Sequence, residues 1–195
     1  MTKKQFSFND FEIIIKESLK EISEIIKNHK GVLYTISNRL SFEKWFQLEL
    51  LKLLIEKTID FEVHIFQEYE LSSKLGKKGK TIDLAIIKND DKFIGLELKI
   101  IPTSYPIENI NQKSKKISDL VKDFIDDLSK TKNEFKHSIS LAFIAPFPKD
   151  LNNRNYRDFE KQESKMKSVG ELEKWDCFIS DNFNCYFYML RTENI

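Results

Sequence analysis

The chain has 195 residues, 41% hydrophobic and 12% aromatic, which is enough to bury one core and argues against two separate domains. Its 32 basic and 31 acidic side chains leave a formal net charge of +1, so any contact with nucleic acid must rest on a local patch rather than a global field. Cys177 and Cys185 form neither a C-x-x-C pair nor a disulfide framework, and the scattered His29, His64 and His137 form no zinc motif; the composition fits a reducing cytoplasm and ordinary surface or edge histidines.

The opening MTKKQFSFNDFEIIIKESL spreads charge among its apolar residues, unlike a signal peptide or a membrane span. From Phe8 to Lys30 the residues Phe11, Ile14, Ile15, Leu19, Ile22, Ile25 and Ile26 fall on one stripe at helical spacing, with Ser7 or Asn9 as cap and Gly31 as terminator. A short extended piece, VLYTI, leads to Ser41, a good N-cap for a second helix ending near Lys57. Three strand-like runs follow, FEVHIFQEYE, TIDLAIIK and FIGLELKI, the last two joined by a turn-rich stretch that predicts an antiparallel hairpin. A long helix is expected from about Ile107 to Lys130, then a strand SISLAFIA and a loop from Pro146 to Asn155. A charged helical segment near Arg157 to Lys174 leads into a last strand, NCYFYML. Tyr186, Phe187 and Tyr188 in that strand read as core and sheet surface.

The hairpin carries the chemistry. Pairing Lys88 with Lys92 puts Ile87 opposite Phe93, Ala85 opposite Gly95, and Asp83 opposite Glu97, with Lys99 on the same face. Facing carboxylates repel, so a sheet would not choose this pairing for stability, and a divalent cation between them would reverse the sign. On the second helix, Phe42, Trp45, Phe46 and Leu53 define an apolar stripe with Glu49 in its middle, while Glu43 falls off it. A carboxylate turned toward a core needs a partner, and a shared cation-binding cleft with Asp83 and Glu97 would supply one.

Asp83, a hairpin, then Glu97-Leu98-Lys99 resembles the signature of the PD-(D/E)XK nuclease superfamily, the restriction-endonuclease-like fold. Ile82 stands where the motif has proline, and no tyrosine follows four residues after Gln112 as in the RecB-like branch. The resemblance implies an α/β (α+β) protein with a central mixed β-sheet flanked by helices, in the order αβββαβ. An extra N-terminal helix and a C-terminal helix plus strand would complete it. It is expected as one domain, with residues 1–40 a helical extension, 41–146 the core and 147–195 completing the sheet.

The implied activity is Mg2+-dependent hydrolysis of DNA phosphodiesters, with Mn2+ as a substitute, in restriction, phage defence, repair or mobile-element biology. Asp83, Glu97 and the backbone carbonyl of Leu98 would hold the metal, and Glu49 would act through water or a second cation. Lys99 would stabilise the charge that builds at the phosphate. Gly95 would leave room for the phosphate backbone. Lys74, Lys77, Lys78 and Lys80, just before Asp83, supply cation density for DNA, though a solvated loop explains the run almost as well. Lys113, Lys115 and Lys116 read as the solvated face of the long helix, and Gln67 and Glu68 as a border of the cleft at best. RNA stays open as a substrate, a homodimer is favoured for double-strand cleavage, and the isoleucine-rich first helix would serve as its interface or cap the core. The alternative is a non-catalytic nucleic-acid-binding or protein-assembly subunit that keeps the nuclease fold.

Overall fold

Ser7 and Asp10 fix where the first helix starts. The Ser7 hydroxyl accepts the Asp10 N–H at 3.2 Å and the Asp10 carboxylate accepts the Ser7 N–H at 2.8 Å, a reciprocal cap whose hydrogen bonds hold the Asp10 carboxyl below its usual pKa. The computed structural model describes residues 3–28, 39–71, 80–102, 116–148, 154–179 and 183–193. Among them are α1 (Phe8–Asn28), α2 (Arg39–Lys57), β1 (His64–Glu70), β2 (Thr81–Lys88), β3 (Asp91–Pro102), α3 (Ile117–Thr131), β4 (His137–Pro148), α4 (Arg154–Lys167), β5 (Glu171–Ile179) and β6 (Phe183–Glu193). The class is α+β, with one mixed sheet in the order β1-β2-β3-β4-β6-β5. Every neighbouring pair is antiparallel except β3 and β4, which run parallel and are joined through α3, as parallel neighbours require a crossover.

Alternation along the strands divides the core into two layers. Even-numbered positions of β3 (Ile94, Leu96, Leu98, Ile100) pack with Phe11, Ile15 and Ile22 of α1 and Phe42, Phe46 and Leu50 of α2. On the other face Ile101, Ala142, Ile144, Tyr188 and Leu190 pack with Leu120, Val121, Phe124 and Leu128 of α3 and with Phe159 and Met166 of α4. Tyr186, Phe187 and Tyr188 are core residues. No helix of the described residues is long and apolar enough to cross a membrane.

Several boundaries differ from expectation. α2 begins at Arg39, ahead of Ser41, and β1 begins at His64 rather than Phe61. The long helix does not run unbroken from Ile107: Lys116 is extended (φ −57°, ψ 139°) and α3 starts after it. Lys116 is exposed, while Gln112, Lys113 and Lys115 lie outside the described residues, as do VLYTI and Gly31. β4 continues to Pro148, α4 starts at Arg154, and the expected helix to Lys174 instead stops at Lys167 and turns into β5. So two strands, not one, follow the last helix. Gly170 permits that turn, since a Cβ there would lie 2.4 Å from the Arg191 carbonyl oxygen. His137 is not a surface residue: it is buried, stacked on Phe8 with ring centroids 4.1 Å apart, and burial lowers its pKa.

Gly95 is also spoken for. A Cβ at Gly95 would meet Thr131 Cγ2 at 2.7 Å and the Phe135 ring at 2.8 Å, so the space expected for a phosphate backbone holds the end of α3 and the turn after it. Gly95→Ala is expected to lower stability by about 1–3 kcal/mol through overpacking, read as a drop in thermal midpoint.

Candidate active site

The hairpin turn is Asn89-Asp90, both left-handed (φ 50° and 66°), as a tight type I′ turn demands. It pairs Lys88 with Asp91 and Ile87 with Lys92, not Lys88 with Lys92 or Ile87 with Phe93. Asn and Asp tolerate that backbone, and a bulge at Phe93 absorbs the difference, so beyond it Ile86 pairs with Ile94, Ala85 with Gly95 and Leu84 with Leu96. Parity therefore holds for Glu97 and Lys99, which lie on the α3 side of the sheet, but not for Asp83: Ile82 packs with Ala85 and Phe135 on that side, so the alternation of β2 breaks at Asp83.

The β2–β3 ladder ends at Leu84 and Leu96. Past it β3 stays with β4 out to Pro102 and Ala145, while β2 stays with β1 through Ile82 opposite Tyr69. Asp83 fills the parting, its Oδ2 accepting the Leu98 N–H at 2.7 Å. From α2, Gln47 donates to the Asp83 carbonyl at 3.2 Å and reaches Asp83 Oδ1 at 3.5 Å. Lys44 links Gln47 (3.1 Å) to Glu68 (2.7 Å), which stands opposite Asp83 in the β1–β2 register and has φ 50°. Glu68 thus borders this corner.

Glu49 is not the α2 residue that meets Asp83. Trp45 is only half-buried, whereas Gln47, Leu50 and Leu54 are fully buried, and centring the stripe on those turns Glu43 and Gln47 toward the sheet and Glu49 to its flank. Glu49 pairs with Lys52 at 3.5 Å. Glu43, expected to be solvated, accepts the Ile100 N–H at 3.3 Å.

On the α3 side the charges form a chain. Lys99 lies 2.6 Å from Asp127 Oδ2, Lys130 lies 2.6 Å from Asp127 Oδ1, and Lys130 also stands 3.2 Å from Glu97 Oε1. Burial and the nearby Asp83 charge push the Glu97 carboxyl up to about 8 against the opposing pull of Lys130. Ser140, beside Glu97 in the β3–β4 register, is fully buried, and its hydroxyl has no hydrogen-bond partner among the described residues.

Asp83 and Glu97 suit a hard divalent cation: they are oxygen donors close enough for the Asp83 charge to disfavour ionisation of Glu97, and Glu97 Oε1 is buried with no aligned hydrogen bond. Among the described residues no group of three or more His, Cys, Asp or Glu side chains is placed to hold a metal ion, so such an ion would need backbone, water or substrate oxygens as well. Lys80 is exposed just before β2, and Lys74, Lys77 and Lys78 lie outside the described residues.

Sequence reasoning missed Gln47, Glu43, Asp127 and Lys130. Asp127 carries the signal used for Glu49, a carboxylate inside an apolar stripe, here between Phe124 and Leu128. No protein-family model matches the chain, and neither the curated proteins nor the solved structures hold a match to it.

Proposed function

We propose that the protein is a Mg2+-dependent endonuclease that hydrolyses DNA phosphodiesters, with the element order αβββαβ from α2 to β4 as its restriction-endonuclease-like core. The observation that carries this reading is the convergence of Asp83 and Glu97 where β2 and β3 part, close enough that Asp83 helps hold Glu97 up to about 8. Burying a carboxyl beside a second carboxylate so that its ionised form is disfavoured up to about 8 is costly for structure alone, and a bound cation offsets that cost.

Asp83 and Glu97, with the Leu98 carbonyl, would hold Mg2+, which when bound activates water and offsets charge on the scissile phosphate. The Leu98 N–H and Gln47 orient the Asp83 carboxylate. Lys99, fixed by Asp127, stands on the same face as Glu97 to stabilise charge in the transition state. DNA is the proposed partner and Mn2+ the substitute ion.

A plasmid-nicking assay with Mg2+ or Mn2+ tests this. Wild type is expected to nick, and Lys99→Ala to be slower by about 100- to 1000-fold. Equal inertness of both on plasmid, single-stranded DNA and RNA would sink the enzyme reading. One observation favours the alternative of a non-catalytic binding or assembly subunit: Glu97, Lys130, Asp127 and Lys99 already balance charge within the protein. That reading expects tight DNA or protein binding with no cleavage under any divalent ion.

A further inference from the structure

Lys130 has no role in the chemistry above, yet it occupies the carboxylate that chemistry needs. We propose that Lys130 is a built-in counter-ion of Glu97, anchored by Asp127, which a divalent cation displaces when it takes Glu97 as a ligand; this rests on the cation-binding reading of Asp83 and Glu97.

Three observations carry it. Lys130 Nζ is shared between Asp127 Oδ1 at 2.6 Å and Glu97 Oε1 at 3.2 Å, so the Glu97 contact is the longer and weaker of the two. Such a contact is readily given up to a stronger charge. The Lys130 side chain is 30% exposed against 7% for Glu97, so the lysine has an exit to solvent and the glutamate does not. It stands in the last turn of α3, where the helix carbonyls favour a cation once it has left Glu97.

The charges agree. With Lys130 withdrawn, Asp83, Glu97, Asp127 and Lys99 together carry two net negative charges when the carboxylates are ionised, which one divalent cation neutralises. With Lys130 in place the same cluster would turn positive on binding that cation. Lys130 thus partners Glu97 whenever that carboxylate is ionised in the metal-free protein, and it opposes the ion.

Calorimetric titration of the full chain with Mn2+ tests the proposal, using wild type, Lys130→Met, Lys122→Met as an exposed control on the same helix, and Asp83→Asn. Lys130→Met is expected to bind Mn2+ more tightly by about tenfold or more, Lys122→Met within about twofold of wild type, and Asp83→Asn to lose binding. A second readout needs no variant: acetylation of Lys130 in wild type, followed by mass spectrometry, should rise about threefold or more at saturating Mn2+ as the ammonium moves to solvent. If Asp83→Asn loses binding but Lys130→Met binds no tighter than wild type, or Mn2+ leaves Lys130 acetylation unchanged, the counter-ion is overturned and the cation site stands. If wild type binds no Mn2+, or Asp83→Asn binds as well as wild type, the cation reading fails and the counter-ion with it.

Discussion

Replacing Asp83 with alanine is expected to slow plasmid cleavage by about a thousandfold or more and to lower the thermal midpoint in the same protein. Both effects come from one carboxylate. It is one of the two carboxylates proposed to hold the cation, and its Oδ2 also accepts the Leu98 N–H where the β2–β3 ladder has stopped. Without it a backbone donor on a central strand loses its acceptor, at about 1–3 kcal/mol. Asp83→Asn separates the two roles. The amide oxygen still accepts from Leu98, so stability should stay within about 1 kcal/mol of wild type while cleavage is lost. Single-turnover cleavage and thermal melts on both variants check this; a fully active Asp83→Asn protein would remove Asp83 from the chemistry.

The second large effect is on stability against pH without divalent ions. Glu97 is held at about 8 in the folded protein against an ordinary 4.5, because burial and Asp83 disfavour its charge. A carboxyl whose pKa is raised by folding keeps its proton longer folded than unfolded, so its contribution is full below about 4.5 and is lost as pH rises through about 8. His137, lowered by burial, acts in the opposite sense, but only as pH falls through its ordinary 6.5. The window from about 6.5 to 8 therefore belongs to Glu97, and wild type should lose stability across it. Glu97→Gln cannot titrate; its profile should be flat there, and at about pH 8.5 it should exceed wild type by about 2–4 kcal/mol. Urea unfolding at a series of pH values measures it, and parallel profiles for the two proteins would contradict the shift. Added Mg2+ should restore wild type at high pH and leave Glu97→Gln unmoved.

Much of the sheet was legible because period-two alternation survives local error. The turn pairing was one residue off, yet the Phe93 bulge restored the expected register before Ala85 and Gly95, so Glu97 and Lys99 fell on the face that parity predicts, while Asp83, past the end of the ladder, turns to the Leu98 N–H and Gln47 instead. The second helix was harder. It is apolar on more than one side, with Leu48 54% and Ile55 50% exposed, so composition alone does not say which stripe meets the sheet, and Trp45 drew the choice toward Glu49. β5 was hidden by charge. As an edge strand it carries Glu171, Glu173, Lys174 and Asp176, and without an apolar alternation it reads like the end of α4. Asp127 and Lys130 were hidden by distance: nothing local ties α3 to a hairpin about thirty residues earlier, and only the parallel crossover brings them together.

The same edges bear on whether another strand can add to the sheet. β1 and β5 leave unpaired backbone groups at the two rims of the sheet, where another molecule's strand could add. Neither rim offers a straight template. β1 breaks its run at Glu68, whose left-handed backbone and ion pair with Lys44 interrupt the ladder, and the β5–β6 register slips between Asp176 and Phe178. A chain docking along either rim would lose register within a few residues and bring its own side chains against Glu70 on one side or Glu171 on the other. The left-handed backbone at Glu68 thereby disfavours edge-to-edge pairing along β1.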